Sequence, residues 1–177
     1  MAFEIIIGII VGVSILASVF VIFNNKFQFA IIKIDKAEED IGIYLQKKEE
    51  LLNRTKPIIM KELKIKEVMS DLDCIPVDAN NFEAHSLLKK AYNDFFRTLD
   101  EHEKLLKSKP LEKIIEELDE NEENIVGSIK FYNDTVVEYN QLVISFPANI
   151  IAFIMRYKKK EFYSNEKREK FQILSEK

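Results

Sequence analysis

The chain has one cysteine, Cys74, no tryptophan, two histidines, and only four glycines and four prolines in 177 residues. Each scarcity removes a class of protein. One thiol makes no intrachain disulfide, which rules out a disulfide-stapled secreted domain and suits a reducing compartment. No cysteines or histidines stand at zinc-ligand spacing, and no glycine-rich stretch is placed to cradle a phosphate. A carboxylate-bridged di-iron bundle takes Glu-x-x-His on two of its helices. Phe82 stands three residues before His85 and Leu99 three before His102, so neither histidine belongs to that motif. Nothing marks an activated nucleophile either. The expectation is a protein that is not an enzyme and has no catalytic, cofactor-binding or metal-binding residues. Few helix breakers and many Lys, Glu, Ile and Leu describe a chain built of helices.

What is present begins with a run that carries no charge. From Ile5 to Phe23, IIIGIIVGVSILASVFVIF would extend roughly 28 Å as a helix, close to the ~30 Å hydrocarbon core of a bilayer. Residues 1–23 therefore read as a single-pass membrane anchor, in contact with lipid through residues 5–23. The residues before the run carry Glu4 and no Lys or Arg, whereas a cleaved secretory leader starts basic. Lys26, Lys33 and Lys36 follow the run, and positive flanks stay inside. That places the N-terminus outside and the rest of the chain in the cytoplasm, at the inner (plasma) membrane. Gly8 and Gly12 form a small-xxx-small pair through which two anchors could pack into a homo-oligomer.

Residues 24–163 read as a helical bundle and 164–177 as a charged tail. Ile31, Ile34, Ile41, Leu45, Leu52, Ile59 and Leu63 follow helical spacing, so the first helix should continue to about Met69, kinked at Pro57. Residues 71–81 lose the period and form a loop. A second helix follows, capped by Asn80 or Asn81, with Leu88, Tyr92, Phe95, Leu99 and Leu106 on one stripe that His102 continues as a packed imidazole. Pro110 suits the first turn of a third helix. Its seam runs Leu111, Ile115, Leu118, Glu122, Ile125, Ile129, Tyr132, Val136, Tyr139, Val143 and Phe146 in steps of four and three, a coiled-coil type of period. A short apolar helix after Pro147 leads into a basic and aromatic patch. The expected fold is all-α: an N-terminal transmembrane helix continuing into an elongated antiparallel up-down bundle of three long helices plus a short C-terminal helix. On that path the short helix ends at the membrane-distal end, which keeps Lys158 to Lys160 off the bilayer. The net charge of −4 argues against nucleic acid as a partner of that patch.

The stretch 131-FYNDTVVEYN-140 repeats Tyr-Asn at a spacing of seven. Two helical turns put Tyr132 and Tyr139 on one face, with Asn133 and Asn140 beside them. Two readings stay open: the pairs fix helix register by hydrogen bonding across the bundle, or they line a polar groove that recognises another helix or a ligand. Glu122 is the one carboxylate on the seam and needs a Lys, Tyr or Asn partner across the bundle. A metal-binding role for it is the lesser alternative. Glu116, Glu117, Asp119, Glu120 and Glu123 read as a solvated face.

Taken in order, 40-DIGIYLQKKEELL-52, 118-LDENEENI-125, 131-FYNDTVVEYN-140 and 146-FPANIIAF-153 resemble the LemA family of bacterial membrane proteins. The resemblance covers essentially the whole chain and adds Asn149, of the Phe-Pro-x-Asn stretch, to the candidate recognition residues. It implies a membrane-anchored helical bundle in a family without established catalytic residues. Two positions depart from the pattern: Asn53 stands where a helix-1 proline is usual, with Pro57 one turn later, and Arg156 stands where glycine is common. The resulting expectation is a scaffold or adaptor that holds an unknown membrane or cytoplasmic protein at the membrane. The alternatives are a self-associating structural membrane protein and a carboxylate metal-binding protein.

Overall fold

The computed structural model describes residues 1–76 and 79–163. The charged tail expected at 164–177 lies outside the described residues. The described residues form four helices, α1 (Ala2–Leu63), α2 (Asn81–Glu101), α3 (Lys109–Ile144) and α4 (Ala148–Met155), with 3₁₀ turns at Ser70–Cys74 and Leu105–Lys107. The protein is all-α among the described residues, as its composition requires. α1 passes through Pro57 as one helix and stops at Leu63, where Lys64 turns left-handed, short of the end expected near Met69.

The chain forms two compact units. One is Ala37–Lys130. Its core takes Ile41, Leu45, Leu52 and Ile59 from α1, Leu88, Phe95 and Leu99 from α2, and Leu111, Leu118 and Ile125 from α3. Each such side chain contributes about 1.5–3 kcal/mol relative to leaving it in water. Asn80 caps α2, its side-chain oxygen accepting from the Glu83 amide at 3.0 Å. Neighbouring Asn81 instead donates to the Glu38 carbonyl at 2.8 Å. A Cβ on Gly42 would come within 3.3 Å of that Asn81 side chain, so glycine is what lets α2 start this close to α1.

The path through this unit differs from an up-down sequence. The start of α2 meets Glu38, its middle sets Tyr92 beside Lys48, and its end shares a cleft with Leu63. α2 therefore runs parallel to α1. The chain after Lys64 makes this possible by travelling back along α1, held on the way by an ion pair between Lys56 and Asp73. α3 then runs antiparallel to both, Glu117 pairing with Arg54 and Glu122 with Lys48.

Two stripe expectations need correction here. On α3, Ile114 and Asn121 are buried, whereas Ile115 and Glu122 are only partly covered and Phe146 is 81% exposed. A helix lying against two neighbours buries a wider sector than a single heptad seam, and this sector leans to the other side of Leu111, Leu118 and Ile125. His102 is exposed, because α2 stops at Glu101 and the turn that follows breaks the helical period.

The other unit is Met1–Lys36 together with the chain from Phe131 onward. Residues 1–18 are exposed, and Val19 and Phe20 are the first that the rest of the chain begins to cover. Phe27 and Ile34 of α1, Tyr132, Val136 and Tyr139 of α3, and Ala148, Ile151 and Ala152 of α4 form the core. α4 leaves α3 at 92°. Contrary to the membrane-distal placement expected for it, α4 belongs with the stretch of α1 directly after the apolar run: Tyr157, two residues beyond its end, bonds to Asn24 and Gln28. The antiparallel course of α3 is the reason.

α4 ends on Arg156 in the left-handed region, φ 58° and ψ 33°. That conformation costs a side-chain-bearing residue about 1–2 kcal/mol and is the position where glycine ends helices. The departure from glycine noted in the sequence thus falls on a strained cap. Arg156→Gly is expected to raise stability by about 0.5–1 kcal/mol, since glycine's larger unfolded-state entropy offsets part of the relief. Urea unfolding of the two proteins side by side measures it, and an unchanged or lower midpoint would contradict the strain.

Candidate functional site

The Tyr-Asn repeat closes on the chain itself. Beyond Arg156 the segment 157–163 has no helix and no strand partner, so its backbone groups need bonds from elsewhere. Asn140 supplies two at one residue: its Oδ1 accepts from the Lys160 amide at 2.8 Å and its Nδ2 donates to the Lys160 carbonyl at 2.9 Å. One turn pair earlier on α3, Asn133 Oδ1 accepts from the Tyr163 amide at 2.7 Å. Tyr132 fills the space between, its hydroxyl donating to the Glu161 carbonyl at 3.1 Å and its ring meeting that of Tyr163 edge-on.

The spacing of seven now has a physical account. Seven helical residues rise about 10.5 Å, and three residues of extended chain, from Lys160 to Tyr163, span about 10 Å. The two asparagines match that stride. Their amides meet the backbone of the 157–163 segment, not another helix.

The far end of the segment is tied to α1. Tyr157 stacks 4.7 Å from Phe27, which in turn meets Tyr139 edge-on at 5.7 Å. The Tyr157 hydroxyl accepts from Gln28 at 2.7 Å and donates to Asn24 at 3.2 Å. Burial, with Tyr157 beside it, raises the pKa of the Tyr139 phenol, so the ring stays neutral. Lys160 adds an ion pair to Asp35 at 3.4 Å. Asn149 sits exposed in the first turn of α4 and takes no part in the clamp.

Glu122 lies in the other unit, apart from the clamp residues. It accepts from Lys48, whose side chain is 1% exposed and whose ammonium lies 4.2 Å from the Tyr92 ring centre. Burial lowers the Lys48 pKa, and the Glu122 hydrogen bond and charge oppose that shift. Burial beside Asp119 and Glu122 pushes the Tyr92 phenol up to about 12. Next to this pair Asn121 is fully buried, its amide donating to the Tyr44 carbonyl at 2.9 Å while its oxygen has no partner among the described residues. Removing one partner of a buried ion pair costs about 3–5 kcal/mol when the other charge stays enclosed, so Glu122 is tied to Lys48 by structure before any other chemistry. Among the described residues no three His, Cys, Asp or Glu side chains gather as a metal cage.

Sequence reasoning passed over several of these groups. Lys48 falls between Leu45 and Leu52 at steps of three and four, so a lysine interrupting an apolar stripe was the available signal. Phe27 stands on the same face as Ala30 and Ile34 and was legible by spacing. Asn24, Gln28 and the backbone of 157–163 carry no periodic signal.

The arrangement defines a class: an all-α protein whose first helix opens with a segment long and apolar enough to cross a membrane, and whose longest later helix fastens the chain's own C-terminal segment along itself. The model of the LemA family matches residues 74–173, more than half the chain and all of α2, α3, α4 and the segment 157–163. The chain belongs to the LemA family. No curated protein and no solved structure matches it.

Two outcomes follow from the geometry. Asn140→Leu removes both bonds to Lys160, worth about 1–3 kcal/mol together. It is expected to speed hydrogen exchange at the Lys160 and Tyr163 amides and tryptic cleavage at Lys158 to Lys160, while amides of residues 37–130 keep their protection. Equal protection of the segment in both proteins would show that the asparagine does not hold it. His85 gives a pH dependence. Burial and the charges of Lys48 and Lys89 lower its pKa, against the pull of Glu122. The unfolded chain then takes up a proton near pH 6.5 before the folded chain does, so stability is full above about 6.5 and is lost as pH falls towards the folded value. Thermal midpoints of wild type and His85→Gln between about pH 7.5 and 5.5 are expected to diverge, the wild type losing more; parallel curves would refute the shift.

Proposed function

We propose that this LemA-family chain is a single-pass protein of the inner (plasma) membrane, N-terminus outside and bundle in the cytoplasm, that works as a non-catalytic scaffold or adaptor. The observation that carries the reading is the continuity of α1. The unburied apolar run and the helical positions that enter both cores lie on one helix, Ala2–Leu63, so a partner bound to the folded part is tied to the bilayer without a flexible linker. Lys26 and Lys33 just after the run support the orientation by the positive-inside rule, each resting over a phenylalanine of its own helix.

A specific feature favours a second reading, self-association through the anchor. A Cβ at Gly8 or Gly12 would meet nothing within 4 Å, so the small-residue face is open to another helix.

The test combines topology and capture. Cys74 is exposed, and a membrane-impermeant maleimide is expected to label it only after cells are permeabilised. Labelling in intact cells would place the bundle outside and sink the orientation. In-cell cross-linking through surface lysines is expected to return a recurrent heterologous partner. If only links between copies of this chain appear, and these vanish when residues 1–23 are deleted, the adaptor reading gives way to self-association through the anchor.

A further inference from the structure

α4, with the sequence ANIIAFIM, is apolar except for Asn149 in its first turn, yet only one side of it is buried. Ala148, Ile151 and Ala152 pack inward. The opposite side presents Ile150, Phe153 and Ile154, and Phe146 stands just before it. Phe153 is 86% exposed, which makes it among the most exposed large apolar residues outside the apolar run. Soluble proteins leave single apolar side chains on the surface but seldom a contiguous patch led by phenylalanine, and a helix hydrophobic on every side belongs in a core or a membrane.

We infer that α4 is an interfacial helix, its Ile150–Phe153–Ile154 face set into the boundary of the same bilayer that α1 crosses. The inference rests on the membrane-anchor part of the proposed function. Three placements within this unit choose lipid over another occupant. α4 lies at the level where the apolar run of α1 ends, because Tyr157 fastens it to Asn24 and Gln28 and the first covered residues of α1 are Val19 and Phe20. It is bent 92° from α3, the attitude of a helix lying along a membrane surface when α3 follows α1. The run before that level leaves Ile15 and Leu16 exposed as the α4 face leaves Ile150 and Phe153, and exposed Arg156 and Lys158 directly after α4, with Lys26 directly after the run, supply the charge that phospholipid headgroups attract. The clamp thereby acquires a use: by holding 157–163, Asn133 and Asn140 hold the end of α4 at the membrane surface.

The test uses the full chain in phospholipid vesicles, with Cys74→Ser as background and an environment-sensitive fluorophore on one introduced cysteine at a time. Leu16→Cys reports the span, Val126→Cys the aqueous bundle surface, and Phe153→Cys and Ile150→Cys the face of α4; all four positions are more than half exposed, so the substitutions leave packing in place. Labels at 150 and 153 are expected to lose about half their intensity when the lipids carry bromine on the upper acyl chain, at the ~5–10 Å depth of an interfacial helix, while the label at 126 does not respond. Quenching at 16 without quenching at 150 and 153 overturns the inference and leaves the anchor standing. Labels at 150 and 153 that are shielded from aqueous iodide yet untouched by brominated lipid also overturn it, in favour of a second copy covering the face. No quenching at 16 removes the anchor and this inference with it.

Discussion

An extended backbone that leaves a helix must have its amides and carbonyls satisfied, and in this protein asparagine and tyrosine side chains meet that demand. Asn140 offers one donor and one acceptor in the geometry of a peptide group, so it pairs with Lys160 much as a neighbouring strand would. The rest of the C-terminal architecture hangs on this substitution of side chain for strand. Through it Lys160, Glu161 and Tyr163 are bonded to α3, and with Tyr157 on α1 they fix the chain that leaves α4. The seven-residue period is the geometric requirement of that pairing: a helix and an extended chain advance at different rates, and only certain strides coincide.

The all-helical fold, the helix boundaries near Asn80 and Pro110 and the apolar run were legible in sequence, because periodicity, caps and charge-free length are local properties. The direction of α2 was not. It depends on whether the segment after Lys64 simply turns or travels back along α1, and a loop without period does not state its path. From that one uncertainty followed the misplacement of α4. The α3 seam was legible to within one residue at alternate positions, since Leu111, Leu118 and Ile125 are common to both possible stripes; which side accompanies them is set by the presence of two partner helices. Tyr132, Asn133, Tyr139 and Asn140 were identifiable as unusual polar groups on a seam, but their partner is backbone, which has no side-chain signature.

The unit of residues 37–130 poses a different polar problem. Its buried charge, Lys48, sits where an apolar side chain would pack, and it is neutralised by Glu122 and faced by the Tyr92 ring. Such a pair adds little net stability but penalises any rotation of α3 that separates the two, because the enclosed Lys48 charge left without Glu122 is costly. Asn121 adds a second, partly satisfied polar group one residue away. Both units thus place hydrogen-bonding groups among apolar ones, in one case to hold chain, in the other to hold helix phase.

The unbroken course of α1 has an evolutionary corollary. The apolar run and Phe27 share one helical screw, so inserting or deleting a single residue between Phe23 and Phe27 would rotate the run by about 100° about the helix axis relative to the aromatic contacts of Tyr139 and Tyr157. Length changes there would be neutral only in increments close to whole numbers of turns, such as seven or eleven residues. Changes in the length of the apolar run before Val19 escape this constraint, because there α1 has no covered residue to keep in phase with.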